Sequence, residues 1–203
     1  KYPRNIAKDA ELLADLGVHF VFAPSPEEMY NPEEMEQTFV FDFAGLDQVM
    51  EGKMRPGHFN GVVQVVSRLF DLVQPSRAYF GEKDFQQLAI IHHMVERSSM
   101  AERYTNLQII DCPIIREDSG LAMSSRNERL SQEEKETAVA ISKTLFASKE
   151  WAKSANVKEV QQQVINTINS VEGLEVEYYE IVDKNTLQPT DNWDNAVGCV
   201  TVY

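Results

Sequence analysis

Within the run Phe80-Gly81-Glu82-Lys83-Asp84-Phe85-Gln86-Gln87-Leu88 stand a glycine, a mobile cation, a carboxylate and an amide, close together in the chain. A glycine that carries a strand into a helix N-terminus leaves free amides and a favourable dipole for an anionic group. Lys83 adds positive charge for phosphate, and Asp84 can accept hydrogen bonds from ribose hydroxyls. Gln87, one helical turn on, can face the same crevice. This is the chemistry of a bound nucleotide. A plainer pattern fits the same residues: Asp84 at an N-cap with Gln87 three residues on makes a capping box that needs no ligand. One short motif does not separate the two readings.

A second constellation follows downstream. Gly120 lends freedom to the loop that leads into Met123-Ser124-Ser125-Arg126, where two hydroxyls and a guanidinium fall in sequence. That set suits a triphosphate as charge moves onto departing pyrophosphate. A helix-capping serine pair with a surface arginine is the structural alternative. His92 and His93 are adjacent in an expected helix and point to different faces, and none of the four histidines has metal-ligand spacing. No metal site is expected. Cys112 and Cys199 form no metal-type or redox-type pair. They are expected as free thiols in a reducing cytoplasm, with Cys112 in core packing.

The formal net charge of −13 argues against a broad phosphate-backbone interface with DNA or RNA. It leaves room for a small nucleotide held by a few local cations and amides. No apolar run in the sequence approaches the roughly 20 residues that span a membrane. Lys1-Tyr2-Pro3-Arg4 lacks the apolar core of a secretory signal. The 203 residues give room for one large domain or two small ones.

Ile6 to Leu16 reads as a helix stopped by Gly17, and Val18 to Ala23 as a buried strand. Pro24 to Glu36 is expected as a polar loop, Thr38 to Phe43 as a strand, and Gly45 to Glu51 as a short helix or turn. After the loop Arg55 to Phe59, Asn60 to Val73 reads as an apolar helix ending before Pro75. A strand at Arg77 to Phe80, a helix from Asp84 and a strand at Leu107 to Cys112 complete an alternation that predicts a parallel α/β sheet. Ligands in such sheets sit at the carboxyl ends of the strands. The pattern changes after Pro113. Ser131-Gln132-Glu133-Glu134 is a capping box opening a helix to about Lys153, followed by a helix over Val157 to Val171 and strands at Leu174 to Asp183 and Ala196 to Tyr203. Helices followed by strands predict a small α+β domain. The expected division is an α/β domain over residues 1–113 and an α+β domain over 114–203, with the serine loop at its start.

Four segments occur in an order and at separations that resemble the pantoate–beta-alanine ligase family. They are Glu51-Gly52 with Arg55-Pro56-Gly57-His58-Phe59-Asn60-Gly61-Val62, Phe80 to Leu88, Gly120 to Asn127, and Tyr178-Tyr179-Glu180-Ile181-Val182-Asp183. The resemblance covers nearly the whole chain. It implies a Rossmann-like nucleotidyltransferase domain, N-terminally truncated, related to class I aminoacyl-tRNA synthetases. Met123 to Arg126 stands where that group has its Lys-Met-Ser-Lys-Ser-type loop. The implied activity is AMP-forming amide ligation in coenzyme A precursor synthesis. Pantoate attacks the α-phosphate of ATP to give pantoyl adenylate, and β-alanine then takes the pantoyl group. Pantoate, β-alanine and ATP with Mg²⁺ are the implied small-molecule partners, with no nucleic acid and no membrane, in a cytoplasmic homodimer. The family's His-x-Gly-His motif is missing, and the chain stops at Val200-Thr201-Val202-Tyr203 where the family's last strands are incomplete. The expectation is a fragment that does not catalyse adenylation alone.

Carried over residue by residue, the resemblance implies ribose contacts at Gly81 and Asp84. It implies a phosphate lysine at Lys83, with Glu82 in the same nucleotide loop. Adenine would meet the backbone of Ile115, and Met123, Ser124, Ser125 and Arg126 would form the mobile phosphate loop. Lys83, Ser124, Ser125 and Arg126 are the expected catalytic residues, and Gln87 the pantoate-binding amide. Val66, Arg55 and His58 complete the expected substrate set, although core packing also fits Val66 and loop structure also fits the other two. Two rivals stand beside this reading. Another adenylating enzyme of the superfamily would share Lys83 and the serine loop without needing pantoate. A non-catalytic interaction domain would keep only the fold.

Overall fold

A computed structural model describes residues 5–36 and 39–203. The chain clusters into two compact units, Lys1–Phe39 and Val40–Tyr203. In the first, the Asn5 side chain accepts from Lys8 N at 3.2 Å and so caps helix α1, Ile6–Asp15. The expected loop over 24–36 contains two short helices, each beginning with a proline: α2, Pro26–Met29, and α3, Pro32–Glu36. Proline suits that first position because its missing N–H would have no helical partner there. A Ser25–Glu28 capping box closes the start of α2.

The buried strand expected over Val18 to Ala23 is not one. The segment is irregular, residues 19–23 make no hydrogen bond among the described residues, and Phe20 is 91% exposed. An apolar run holds a strand only where a neighbour takes up the amides and covers the side chains. The strand expected at Thr38 to Phe43 begins outside the described residues, and its part from 39 to 43 is irregular.

The second unit starts with a short helix, α4 (Met50–Met54), and then α5 (His58–Val73). Helix α5 buries Phe59, Val63, Ser67 and Phe70, which lie on one stripe at helical spacing. It ends at Gln74, in the left-handed region at φ 49°, ahead of Pro75. Strand β1 (Arg77–Gly81) runs into a 3₁₀ turn at Glu82–Asp84, then helix α6 (Phe85–Glu96) and strand β2 (Gln108–Cys112). The strands pair in parallel from Arg77↔Gln108 to Gly81↔Cys112, a pairing that requires a crossover such as α6. Phe70 meets Phe80 and Tyr104 edge-on, at ring-centroid distances of 6.3 and 5.7 Å, fixing α5 to this sheet.

The expected Ser131–Glu134 capping box opens helix α7 (Gln132–Trp151), and a matching Asn156–Glu159 box opens α8 (Val157–Asn169). Strands β3 (Val176–Asp183) and β4 (Ala196–Val202) then pair antiparallel. Val157, Val160, Val164 and Ile168 line the inner face of α8 and pack with Tyr179 and Ile181 of β3. Burying each such aliphatic side chain contributes about 1.5–3 kcal/mol, enough to keep this two-stranded sheet folded against its helices.

Candidate functional site

The sheet register places the site. Gly81 and Cys112 are paired at the carboxyl ends of β1 and β2, so the segments leaving both strands emerge side by side. Those segments share the wall of a cleft of about 2220 Å³. Arg55, Glu82, Lys83, Asp84, Ser124 and Arg126 line it, which brings together both sequence motifs. Tyr178 and Thr201 of the β3–β4 sheet line another part. Gly81, Gln87, Val66, His58, Ile115, Met123 and Ser125 lie off this lining. Ile115 and Met123 are nonetheless exposed, at 63% and 56%, while Val66 is half-buried on α5.

The turn after β1 is built differently from a glycine hinge. Gly81 has extended backbone at φ −78°, and a Cβ there would meet nothing within 4 Å. Neither conformation nor packing demands glycine, and the backbone is open to close approach. Asp84 stands at the N-cap of α6 but makes no side-chain cap hydrogen bond, and the Gln87 side chain has no hydrogen-bond partner among the described residues. The capping box that competed with the nucleotide reading is therefore unformed. Lys83 Nζ lies 3.9 Å from Asp84 Oδ1, with the two side chains 42% and 61% exposed. An exposed pair of this kind is worth at most about 1 kcal/mol, so Lys83 can turn to an incoming phosphate at little cost.

The second motif stands on a hairpin. Arg116 bridges Ala122, Glu117 N donates to Leu121 O at 2.8 Å, and Met123 N donates to Ile115 O at 2.9 Å. Gly120 makes the turn at φ +95°, a region L-residues avoid, and an added Cβ would come 3.2 Å from Ser142 Oγ of α7. Glycine is needed there for conformation and for close approach, rather than for flexibility. Ser124 Oγ then accepts from Arg126 N at 3.2 Å, capping a 3₁₀ helix over Ser125–Arg129. The Ser124 hydroxyl hydrogen stays available to a ligand, and the Arg126 guanidinium has no partner among the described residues. The Arg116 guanidinium lies 5.1 Å from the Phe146 ring centre and seats the hairpin on α7.

Arg55 pairs with Glu51 at 2.5 Å, and His58 Nε2 lies 3.5 Å from Arg55 Nη1. Burial, with the Arg55 charge, lowers the His58 pKa against the opposing pull of Glu51, which favours a neutral ring.

Two residues that shape the site carried no signal of that role in the sequence. Gln86 is buried, donates through Nε2 to Leu46 O (2.7 Å) and Val49 O (2.8 Å), and accepts from Gly52 N (3.3 Å). It stitches the 46–52 segment to α6. His92, on the cleft lining, is held by Glu96 through Nδ1 and by Asp111 of β2 through Nε2, both at 2.7 Å. Burial alone would lower its pKa, but the hydrogen bonds and charges of the two carboxylates outweigh that and raise it. His93, as its spacing predicts, points elsewhere and donates to Asp42 O at 2.9 Å. Among the described residues no three His, Cys, Asp or Glu converge as metal ligands.

Known proteins resemble this chain over its whole length. A family model described as pantoate-beta-alanine ligase matches residues 1–203. The pantothenate synthetase of Bacteroides thetaiotaomicron is 54% identical over 206 residues, covering 100% of this chain and 70% of the relative. That of Porphyromonas gingivalis is 51% identical over 205 residues, with the same two coverages of 100% and 70%. The crystal structure of the Thermus thermophilus pantothenate synthetase superposes with a TM-score of 0.90 at 39% identity, over 100% of this chain and 72% of that one. A Francisella tularensis pantoate-beta-alanine ligase, complexed with beta-gamma ATP and beta-alanine, superposes with a TM-score of 0.73 at 29% identity, over 100% and 70%.

Proposed function

The chain belongs to the pantoate–beta-alanine ligase family, and on that premise we propose that, together with any coding sequence that flanks it in its gene, it condenses pantoate with β-alanine through a pantoyl-adenylate intermediate, at the cleft that both motifs line. One observation carries the assignment to this cleft: Lys83, Ser124 and Arg126, remote in sequence, share its lining.

In the first step a pantoate carboxylate oxygen attacks the α-phosphorus of ATP, the bond to the bridging oxygen breaks, and pyrophosphate leaves. In the second the amine of β-alanine attacks the acyl carbon, losing a proton, and AMP leaves. Such chemistry asks the protein for position and charge more than for covalent work. Lys83 and Arg126 supply cations whose present partners are weak or absent. Ser124 offers a hydroxyl donor from a loop already capped in place, and Ser125 and Met123 extend that loop. Asp84, with no cap to serve, takes ribose hydroxyls beside the open backbone of Gly81, with Glu82 in the same turn. Adenine lies against the exposed Ile115 backbone. The family resemblance assigns pantoate to Gln87, Val66, Arg55 and His58; of these Arg55 lines the cleft, and the other three lie off its lining. Mg²⁺ travels with the ATP phosphates as part of the substrate, the usual state of this ion when phosphates provide its oxygens. The two free thiols suit a cytoplasmic setting, and the family resemblance supports a homodimer.

The test is AMP release from ATP, Mg²⁺ and β-alanine, with and without pantoate. The protein should be expressed with any coding sequence that flanks this chain in its gene. Pantoate-dependent AMP is the expected result. AMP released equally without pantoate would assign the site to another acid, and no AMP from folded protein would overturn the reading.

A further inference from the structure

We propose that Asn127 is the positioning residue of the phosphate loop, holding Ser124 and Arg126 in register with the hairpin beneath them. The proposal rests on the reading of Met123–Arg126 as that loop. The backbone ladder of the hairpin ends with the bond from Met123 N to Ile115 O. Beyond it the chain enters the 3₁₀ helix Ser125–Arg129, a form with poor hydrogen-bond geometry that holds only in short pieces. The side chain of Asn127 reaches back from this helix. Its Nδ2 donates to Glu117 Oε1 at 2.9 Å and to Ala122 O at 3.0 Å. Both amide hydrogens are thus spent on the two strands of the hairpin, one on each side of the Gly120 turn.

Only a primary amide of this reach satisfies both acceptors. Aspartate offers no donor and would set a second carboxylate against Glu117; leucine leaves both acceptors bare. Asn127 is one residue from Arg126, and its backbone N donates to Ser124 O at 3.0 Å, so the clamp acts directly on the two cleft-lining residues of the loop. Because the hairpin is seated on α7 through Arg116 and Phe146, the clamp fixes the loop relative to the carboxyl-terminal half of the unit. A displacement of about 1 Å at a charge-stabilising group costs on the order of a hundredfold in rate.

The experiment compares wild type, Asn127→Leu, Asn127→Asp and the exchanged pair Glu117→Gln with Asn127→Asp. The exchange restores one clamp bond with donor and acceptor swapped. Expected for Asn127→Leu is a loss of about a hundredfold in kcat for pantoate-dependent AMP release, with KM for β-alanine unchanged, and faster amide hydrogen exchange over 124–130. The exchanged pair should recover much of what Asn127→Asp loses. Wild-type kcat in Asn127→Leu, or an exchanged pair no better than Asn127→Asp, would overturn the proposal. If the wild type releases no AMP, the ligase reading fails on its own account. The loop's hydrogen exchange then decides the clamp: faster in Asn127→Leu upholds it, unchanged overturns it.

Discussion

Lys83 and Gln87 show how individual side chains divide structure from chemistry. Lys83 has one weak, exposed ion pair, so its removal should leave folding untouched. Lys83→Ala is expected to lower pantoyl-adenylate formation by roughly two to three powers of ten, the usual loss on deleting a preorganised charge stabiliser. Pyrophosphate release at the normal rate in that variant would remove the role. Gln87 was ambiguous in the sequence, since it could equally have closed a capping box. In the structure Asp84 makes no side-chain cap bond, so the box is not formed. Gln87→Ala should therefore raise KM for pantoate more than KM for ATP while the melting temperature stays put. A drop in melting temperature with unchanged KM would return the residue to a structural role.

At the scale of elements, pattern and partner have to be distinguished. Helices α5, α6, α7 and α8 were legible because a stripe of apolar residues, a Ser-x-x-Glu start or a following proline is written within each segment. Strands β1 to β4 were legible too, each flanked by turn residues and each given a neighbour. Val18–Ala23 carries an equally apolar sequence and yet is irregular, because pairing is a property of two segments and one cannot announce it. The nucleotide loop was visible as a cluster of types. Gln86 was not, since a glutamine at helix start looks solvated until the carbonyls of Leu46 and Val49 are found above it. Gln86→Leu keeps the volume but strands two buried backbone groups and one part-buried one, for an expected loss of about 3 kcal/mol. Urea unfolding measures this directly, and unchanged stability would mean water reaches those groups.

For the molecule as a whole, the link between α6 and β2 through His92 makes stability depend on pH. The folded state raises the His92 pKa above its ordinary 6.5, so it binds that proton more tightly than the unfolded chain does. The stabilisation is complete below the unfolded value and fades as pH rises through the folded one. Thermal melts should show the midpoint falling as pH rises above 6.5. Asp111→Asn should flatten that slope by weakening the charge that holds the proton, and an unchanged slope would place its origin elsewhere.

The two cysteines differ in a way that can be put to use. Burial, reinforced by the Glu180 charge, pushes the Cys199 thiol of β4 up to about 12, so at pH 8 only about one molecule in ten thousand carries the reactive thiolate there. Cys112, like Cys199, is part-buried; it stands at the end of β2, in register with Gly81. With the Cys199 thiolate suppressed, a fluorescent maleimide is expected to attach at Cys112 ahead of Cys199, without any engineered cysteine. That point stands beside the turn where the nucleotide is expected, a natural reporter of its arrival.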